Sequence, residues 1–302
     1  FLDDDKYVQM LGLSIGFGKR LRWPDDFFQL SAALSYQRYM LRDWNYFIIS
    51  NGNCNNVNFS INLSRNSTDN QLFPRTGSEF MASVTLTPPW SLWDGKDYEN
   101  LATAQTYEKN YERYQSEQQQ KYRWIEYHKW SFKGAIYTKL VGDLVLMARA
   151  QFGYLGYYNR NWGYSPFEGF RVGGDGMSGY DTYGSEIVSL RGYENYSLTP
   201  QATSNATGNY YAGNVYDKFT VELRYPVILQ PQSTIYALLF LEGGNCWADI
   251  RDFNPFQIKR SAGVGVRVFL PMIGLLGVDW GWGFDDPVNG KSQFHFVIGQ
   301  QF

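Results

Sequence analysis

The residues from Gln293 to Phe302 constrain the fold more than any other stretch of this chain. Phe294, Phe296, Ile298 and Phe302 share one parity, and polar or small residues fill most positions between them. Period two sends alternate side chains to opposite faces of a strand. An apolar strand ending on an aromatic gains little in water. It gains a great deal if its outer face meets hydrocarbon and the aromatic rests at a membrane interface. The segment therefore reads as the closing strand of a bacterial outer-membrane β-barrel.

The rest of the chain agrees. No run of 18 or more apolar residues is present, so no transmembrane helix is expected. A mean hydropathy of -0.41 still suits a membrane protein if it is a barrel, because lumen positions are polar. The 24 Tyr, 21 Phe and 10 Trp among 302 residues suit aromatic girdles and strands. A soluble β-sandwich or propeller shares that richness in Tyr and Gly. A net charge of -2 with interspersed signs gives no basis for nucleic-acid binding.

Outward apolar alternation marks eleven strands. The first six cover about 7–22, 28–40, 57–63, 80–86, 124–140 and 144–158. The other five centre on Val221, Leu239, Val266, Trp280 and Phe296. Bacterial single-chain barrels are even-stranded, and an open edge in lipid leaves backbone groups unsatisfied. Strands N-terminal to Phe1 are therefore expected. The segment 97–122 interrupts the pattern with Tyr107, Tyr111 and Tyr114 at helical spacing, which predicts a helical insert in an external loop. A second long segment, 166–212, is Gly-rich, and loops of that length are commonly functional.

That loop carries Phe170-Arg171-Val172-Gly173-Gly174 and, after an insertion, Leu190-Arg191-Gly192-Tyr193. The pair resembles the sixth external loop of the BamA family of outer-membrane barrel-assembly factors. Their superfamily also holds two-partner-secretion transporters and a translocation component. The stretches 73–78 (Phe-Pro-Arg-Thr-Gly-Ser) and 260–265 (Arg-Ser-Ala-Gly-Val-Gly) resemble a periplasmic turn and a strand of the same family. Its closing strand is resembled by 294–302. The match runs in order over the chain. It implies an all-β, transmembrane antiparallel β-barrel spanning 1–302, contributing about eleven C-terminal strands of a sixteen-stranded barrel.

The resemblance also implies that the loop arginine, Arg191, folds into the lumen with Gly192 and Tyr193 and pairs with Glu222 and Glu242. Parity alone places both acids opposite outward apolar residues, where they could equally hydrate a polar lumen. Phe294, Phe296, Ile298, Gly299 and Phe302 would form one side of a weak seam between first and last strands. The implied function is folding and insertion of unfolded outer-membrane proteins, with accessory lipoproteins and contact with the lipid bilayer and lipopolysaccharide. Export of a partner polypeptide and passive diffusion through a porin are the alternatives.

Enzyme chemistry finds no support. His128 and His295 are far apart, no nucleophile elbow occurs, and neither a metal nor a cofactor is expected. The acids of 3–5 and 285–286 suit solvation better than calcium. Cys54 and Cys246 fall near external strand ends, and an oxidising compartment would allow a disulfide between them.

Overall fold

The computed structural model describes residues 6–42, 51–101, 111–176, 184–204, 208–230, 233–272, 274–285 and 292–299. Strands are numbered here in chain order. Eleven form one antiparallel sheet: β1 (Tyr7–Arg20), β2 (Phe28–Arg42), β3 (Gly52–Asn66), β4 (Gly77–Leu86), β5 (His128–Lys139) and β6 (Val145–Gly156), followed by β11 (Val215–Gln230), β12 (Ser233–Trp247), β13 (Lys259–Leu270), β14 (Gly274–Gly283) and β15 (Ser292–Ile298). Each pairs with the next in that order. The sheet is not closed: β1 and β15 are its two edges. Four short strands lie in the connection between β6 and β11. β7 (Glu168–Val172) pairs in parallel with β8 (Gly184–Val188), and β9 (Gln201–Ser204) pairs with β10 (Gly208–Tyr211).

Strand alternation separates two solvents. On β12, Leu239 and Leu241 are 55% and 60% exposed, whereas Leu238, Phe240 and Glu242 between them are 4%, 2% and 5% exposed. The same outward row continues through Val264 and Val266 of β13, Val278 and Trp280 of β14, and Phe294, Phe296 and Ile298 of β15. Register aligns it laterally, Leu239 opposite Val264, Val264 opposite Trp280, and Trp280 opposite Phe294. A continuous apolar band on the outer face of a sheet suits hydrocarbon rather than water. No described helix is long and apolar enough to cross a membrane.

The connections segregate by length. Short turns follow β1, β5, β11 and β13, and long ones follow β4 and β6. The inner face is filled from the long-loop end. Tyr39 of β2, Cys54 of β3, Tyr216 of β11 and Cys246 of β12 join Trp162, Phe167, Phe170, Leu190 and Tyr193 of the β6–β11 connection in one buried cluster. Strands far apart in the sheet touch the same loop, so the sheet curves around it. β1 differs: its inward Gly12, Ser14, Gly16 and Gly18 stay exposed, and Val8 near its start packs against that cluster.

Two strand starts depart most from the sequence expectation. β5 begins at His128 rather than 124, because Trp124 forms a parallel bridge to Asn55 and extends the β3 ladder past the end of β4. β3 starts at Gly52 rather than 57, its ladder with β2 running on through polar Asn53 and Asn55. Within 97–122 the described helix α2 is Tyr111–Lys121, after a short α1 at Trp90–Trp93; Tyr107 lies outside the described residues. Tyr114 and Gln118 of α2 are buried, Gln119 Nε2 donates to the Asn51 carbonyl at 2.6 Å, and Trp162 Nε1 donates to the Lys121 carbonyl at 3.1 Å. The insert thus packs onto the loops over the lumen.

Candidate functional site

Leu190-Arg191-Gly192-Tyr193 descends along the inner face against β11 to β15. The strands make room for it. On β14 the inward residues are Gly277, Asp279, Gly281 and Gly283, opposite outward Val278, Trp280 and Trp282. Gly192 has φ +89°, and a Cβ there would stand 2.9 Å from Gly283 N and the Trp282 carbonyl carbon. The loop backbone lies directly on a strand backbone stripped of side chains. Gly192 N–H donates to His295 Nε2 at 2.8 Å, and the Tyr193 hydroxyl donates to the Arg260 carbonyl at 2.7 Å.

The Arg191 guanidinium is buried. Its Nη2 lies 2.6 Å from Glu222 Oε1 and 2.8 Å from Glu242 Oε1, and its Nη1 lies 3.3 Å from Asp279 Oδ2. Its backbone N–H donates to Glu242 Oε2 at 2.8 Å, and its Cζ sits 3.7 Å above the Phe240 ring. Burial opposes its charge, but the carboxylates of Glu242, Glu222 and Asp279 outweigh it and raise its pKa above the usual arginine value. The acids are shared. Arg224 binds Glu222 at 2.8 Å, Lys218 lies 3.2 Å from Glu242, and Arg267 lies 2.6 Å from Asp279. Four cations and three carboxylates thus interlock with little net charge, which is what lets so many ions sit out of bulk water.

The structure brings together Arg191, Gly192, Tyr193, Glu222 and Glu242. It adds Asp279, His295, Lys218, Arg224 and Arg267, which parity marks as inward but no motif pairs. Phe294, Phe296 and Ile298 face outward on β15. Gly299 closes that strand with φ +81°, donating its N–H to the Leu275 carbonyl at 2.7 Å. Phe302, and the acids at 3–5 and 286, lie outside the described residues. Asp285 engages Arg260 at 2.9 Å. Among the described residues no group of three His, Cys, Asp or Glu is placed to hold a metal ion.

The expected disulfide is absent. Cys54 and Cys246 are free, buried, and within strands rather than loops. In sheet order β4, β5, β6 and β11 separate β3 from β12. Strands lie about 4.8 Å apart, so the arc between the cysteines is roughly 24 Å, and loop residues fill the lumen between them.

Three comparisons place this architecture. The Omp85 superfamily domain matches residues 4–302. A search of curated protein sequences returns no match. Among solved structures, the chain is similar to BamA from Haemophilus ducreyi lacking POTRA domains 1-3, with a TM-score of 0.64 and 17% identity over 96% of this chain and 54% of that one. It is also similar to CdiB from Escherichia coli, with a TM-score of 0.50 and 12% identity over 96% of this chain and 44% of that one. The chain thus spans about half the length of the structures it matches. At those identities the likeness shows the barrel fold, and the family follows from the domain match: the chain belongs to the Omp85 superfamily.

Proposed function

We propose that this chain is the C-terminal barrel portion of an outer-membrane assembly factor that folds and inserts other outer-membrane β-barrel proteins. One observation carries the reading: the lumen is packed rather than open. Leu190, Phe170, Tyr193 and Trp162 are each at most 1% exposed, and burying each side chain is worth about 1.5–3 kcal/mol. Emptying the lumen to pass a chain would forfeit that, along with the ion cluster around Arg191. Work at a weak seam between the barrel's first and last strands forfeits neither. A client strand adds to an exposed edge by backbone hydrogen bonding, with no covalent step and no cofactor. In this reading the partners are unfolded outer-membrane proteins, accessory lipoproteins, the bilayer and lipopolysaccharide, and Arg191 with Glu222 and Glu242 acts as a latch that holds the loop.

Export of a partner polypeptide is the second reading, favoured by a charged chamber of about 500 Å³ beneath the loop. A passive porin suits neither the packed lumen nor the latch. Depletion of the protein in its native host separates them. Assembly work predicts that many different barrel proteins fall together in the outer membrane. Loss of one secreted protein with porins at normal levels would overturn it.

A further inference from the structure

The connection between β3 and β4 sits at the short-turn end of the sheet, away from the loops; Asp69, Asn70, Gln71, Arg75 and Thr76 are exposed, yet Phe73 and Pro74 are buried. Phe73 at its tip is 2% exposed. Its ring lies 5.1 Å from that of Tyr236 on β12, in a buried cluster with Val145, Leu238, Phe240 and Leu275. The contact crosses the lumen, because β5, β6 and β11 separate β4 from β12 in the sheet.

The turn is stiffened from within. Asp69 Oδ1 accepts the N–H groups of Arg75 at 2.8 Å and Thr76 at 3.1 Å, and Asn70 Oδ1 accepts those of Leu72 at 2.8 Å and Phe73 at 3.1 Å. Arg65 ties Ser67 to Ser78 across the turn's base, at 2.9 Å to each. The ten residues 67–76 between two strands need none of this to reverse the chain. The arrangement holds one aromatic inward.

The chamber of about 500 Å³ lies between this turn and the descending loop, with Leu72 and Pro74 on one side and Ser189 and Arg191 on the other. We propose that the β3–β4 turn is a plug, a second closure of the lumen beside the loop, with Phe73 as the residue that seats it. Phe73 also has a positioning role. It shares a cluster with Phe240, the ring beneath the Arg191 guanidinium, so the plug braces the floor on which the loop arginine rests. The chamber has the loop above it and the turn below it.

The inference does not depend on which clients the protein handles, since ion conductance reads the closure of the lumen whatever the clients are. The full-length protein is reconstituted in planar bilayers, with heat-modifiability on gels reporting that each variant is folded. Phe73→Ala should raise single-channel conductance at least several-fold over wild type. Phe73→Leu, which keeps an apolar seat, should remain near wild type. Asp69→Ala loosens the turn without touching the lumen and should raise the open probability. Folded Phe73→Ala with wild-type conductance overturns the plug. Should Phe73→Ala fail to fold, Asp69→Ala decides: wild-type open probability in that variant overturns it equally.

Discussion

At Arg191 one side chain satisfies three carboxylates, so its removal differs in kind from the loss of a surface ion pair. Arg191→Ala would leave Glu222, Glu242 and Asp279 with only their strand-borne cations, and breaking a buried pair costs about 3–5 kcal/mol. The heat-modifiable form should therefore convert at lower temperature, and assembly of client barrels should fall; unchanged melting with normal porin levels would remove the latch. Arg191→Lys should recover little, because an ammonium cannot spread its donors over three acids. A second residue pair sets an acid limit. Arg260 hydrogen-bonds Asp285 and holds its carboxyl down to about 2, against about 3.9 in an unfolded chain. A depressed carboxyl adds stability that is fully present above about pH 4 and is lost as pH falls toward 2. Asp285→Asn should flatten the melting temperature across that window, and an unaltered acid slope would place the sensitivity elsewhere. The pairing of Arg191 with Glu222 and Glu242 was legible only through the family resemblance, which named the arginine and both acids; parity alone gave no more than the acids' face. Asp279, Arg267, Arg224 and Lys218 share that parity. Their partners were not legible, because parity gives the face of a residue and not its height, which depends on register between strands.

Among the elements, α1 and its surroundings show what a short insert does at the rim of the apolar band. Trp90 stacks on Trp124 at 4.8 Å and meets Trp93 edge-on at 5.8 Å. Trp124 bridges Asn55, just above the outward Phe59 and Ile61 of β3, while Leu92 and Trp93 stay well exposed. Glu126 holds the group from below, accepting the Ser91 N–H at 2.7 Å and its hydroxyl at 2.6 Å. Indoles at that height match the interfacial layer of a bilayer. In proteoliposomes, lipid brominated close to the headgroup should quench wild-type emission more than that of Trp93→Phe, by the share of one exposed indole; equal quenching would show Trp93 facing water. The strands themselves were legible, all eleven of the main sheet, because alternation survives wherever one face meets an apolar solvent. The elements that fill the lumen were not. β7 and β8 are five residues each; β7 carries buried residues on both faces and β8 buries only Val188 among its described side chains, so no period distinguishes them from loop. The β3–β4 connection read only as turn punctuation, since Pro and Gly announce a reversal of the chain and say nothing about where Phe73 points.

At the scale of the whole molecule, the polarity of the sheet is inverted relative to a soluble domain: ions and packed aromatics inside, aliphatics outside. Charged substitutions should therefore be graded by depth rather than by burial. On β11 the outward row runs from Phe219 through Leu223 to Tyr225, and past a bulge at Val227 it continues with Ile228, opposite Ile235 near the short-turn end. Nine steps at about 3.3 Å each, tilted by about 40°, span roughly 23 Å, close to the 25 Å height of a barrel's apolar band, which puts Leu223 near its middle. Leu223→Arg should cost about 2–4 kcal/mol, and Ile228→Arg about 0–1 kcal/mol. A soluble sheet would show no such gradient, since both would be surface positions open to a charge. The closing strand extends the argument. Phe294, Phe296 and Ile298 present the same outward face, and Phe296 lies directly opposite Val278 of β14. Phe296→Arg and Val278→Arg should therefore reduce insertion by similar amounts, because the two positions share one depth in the band. Urea titration of folding into phospholipid vesicles measures all four variants on one scale. Equal losses at Leu223 and Ile228 would contradict the membrane depth assigned to β11, and a large difference between Phe296 and Val278 would contradict the depth they share.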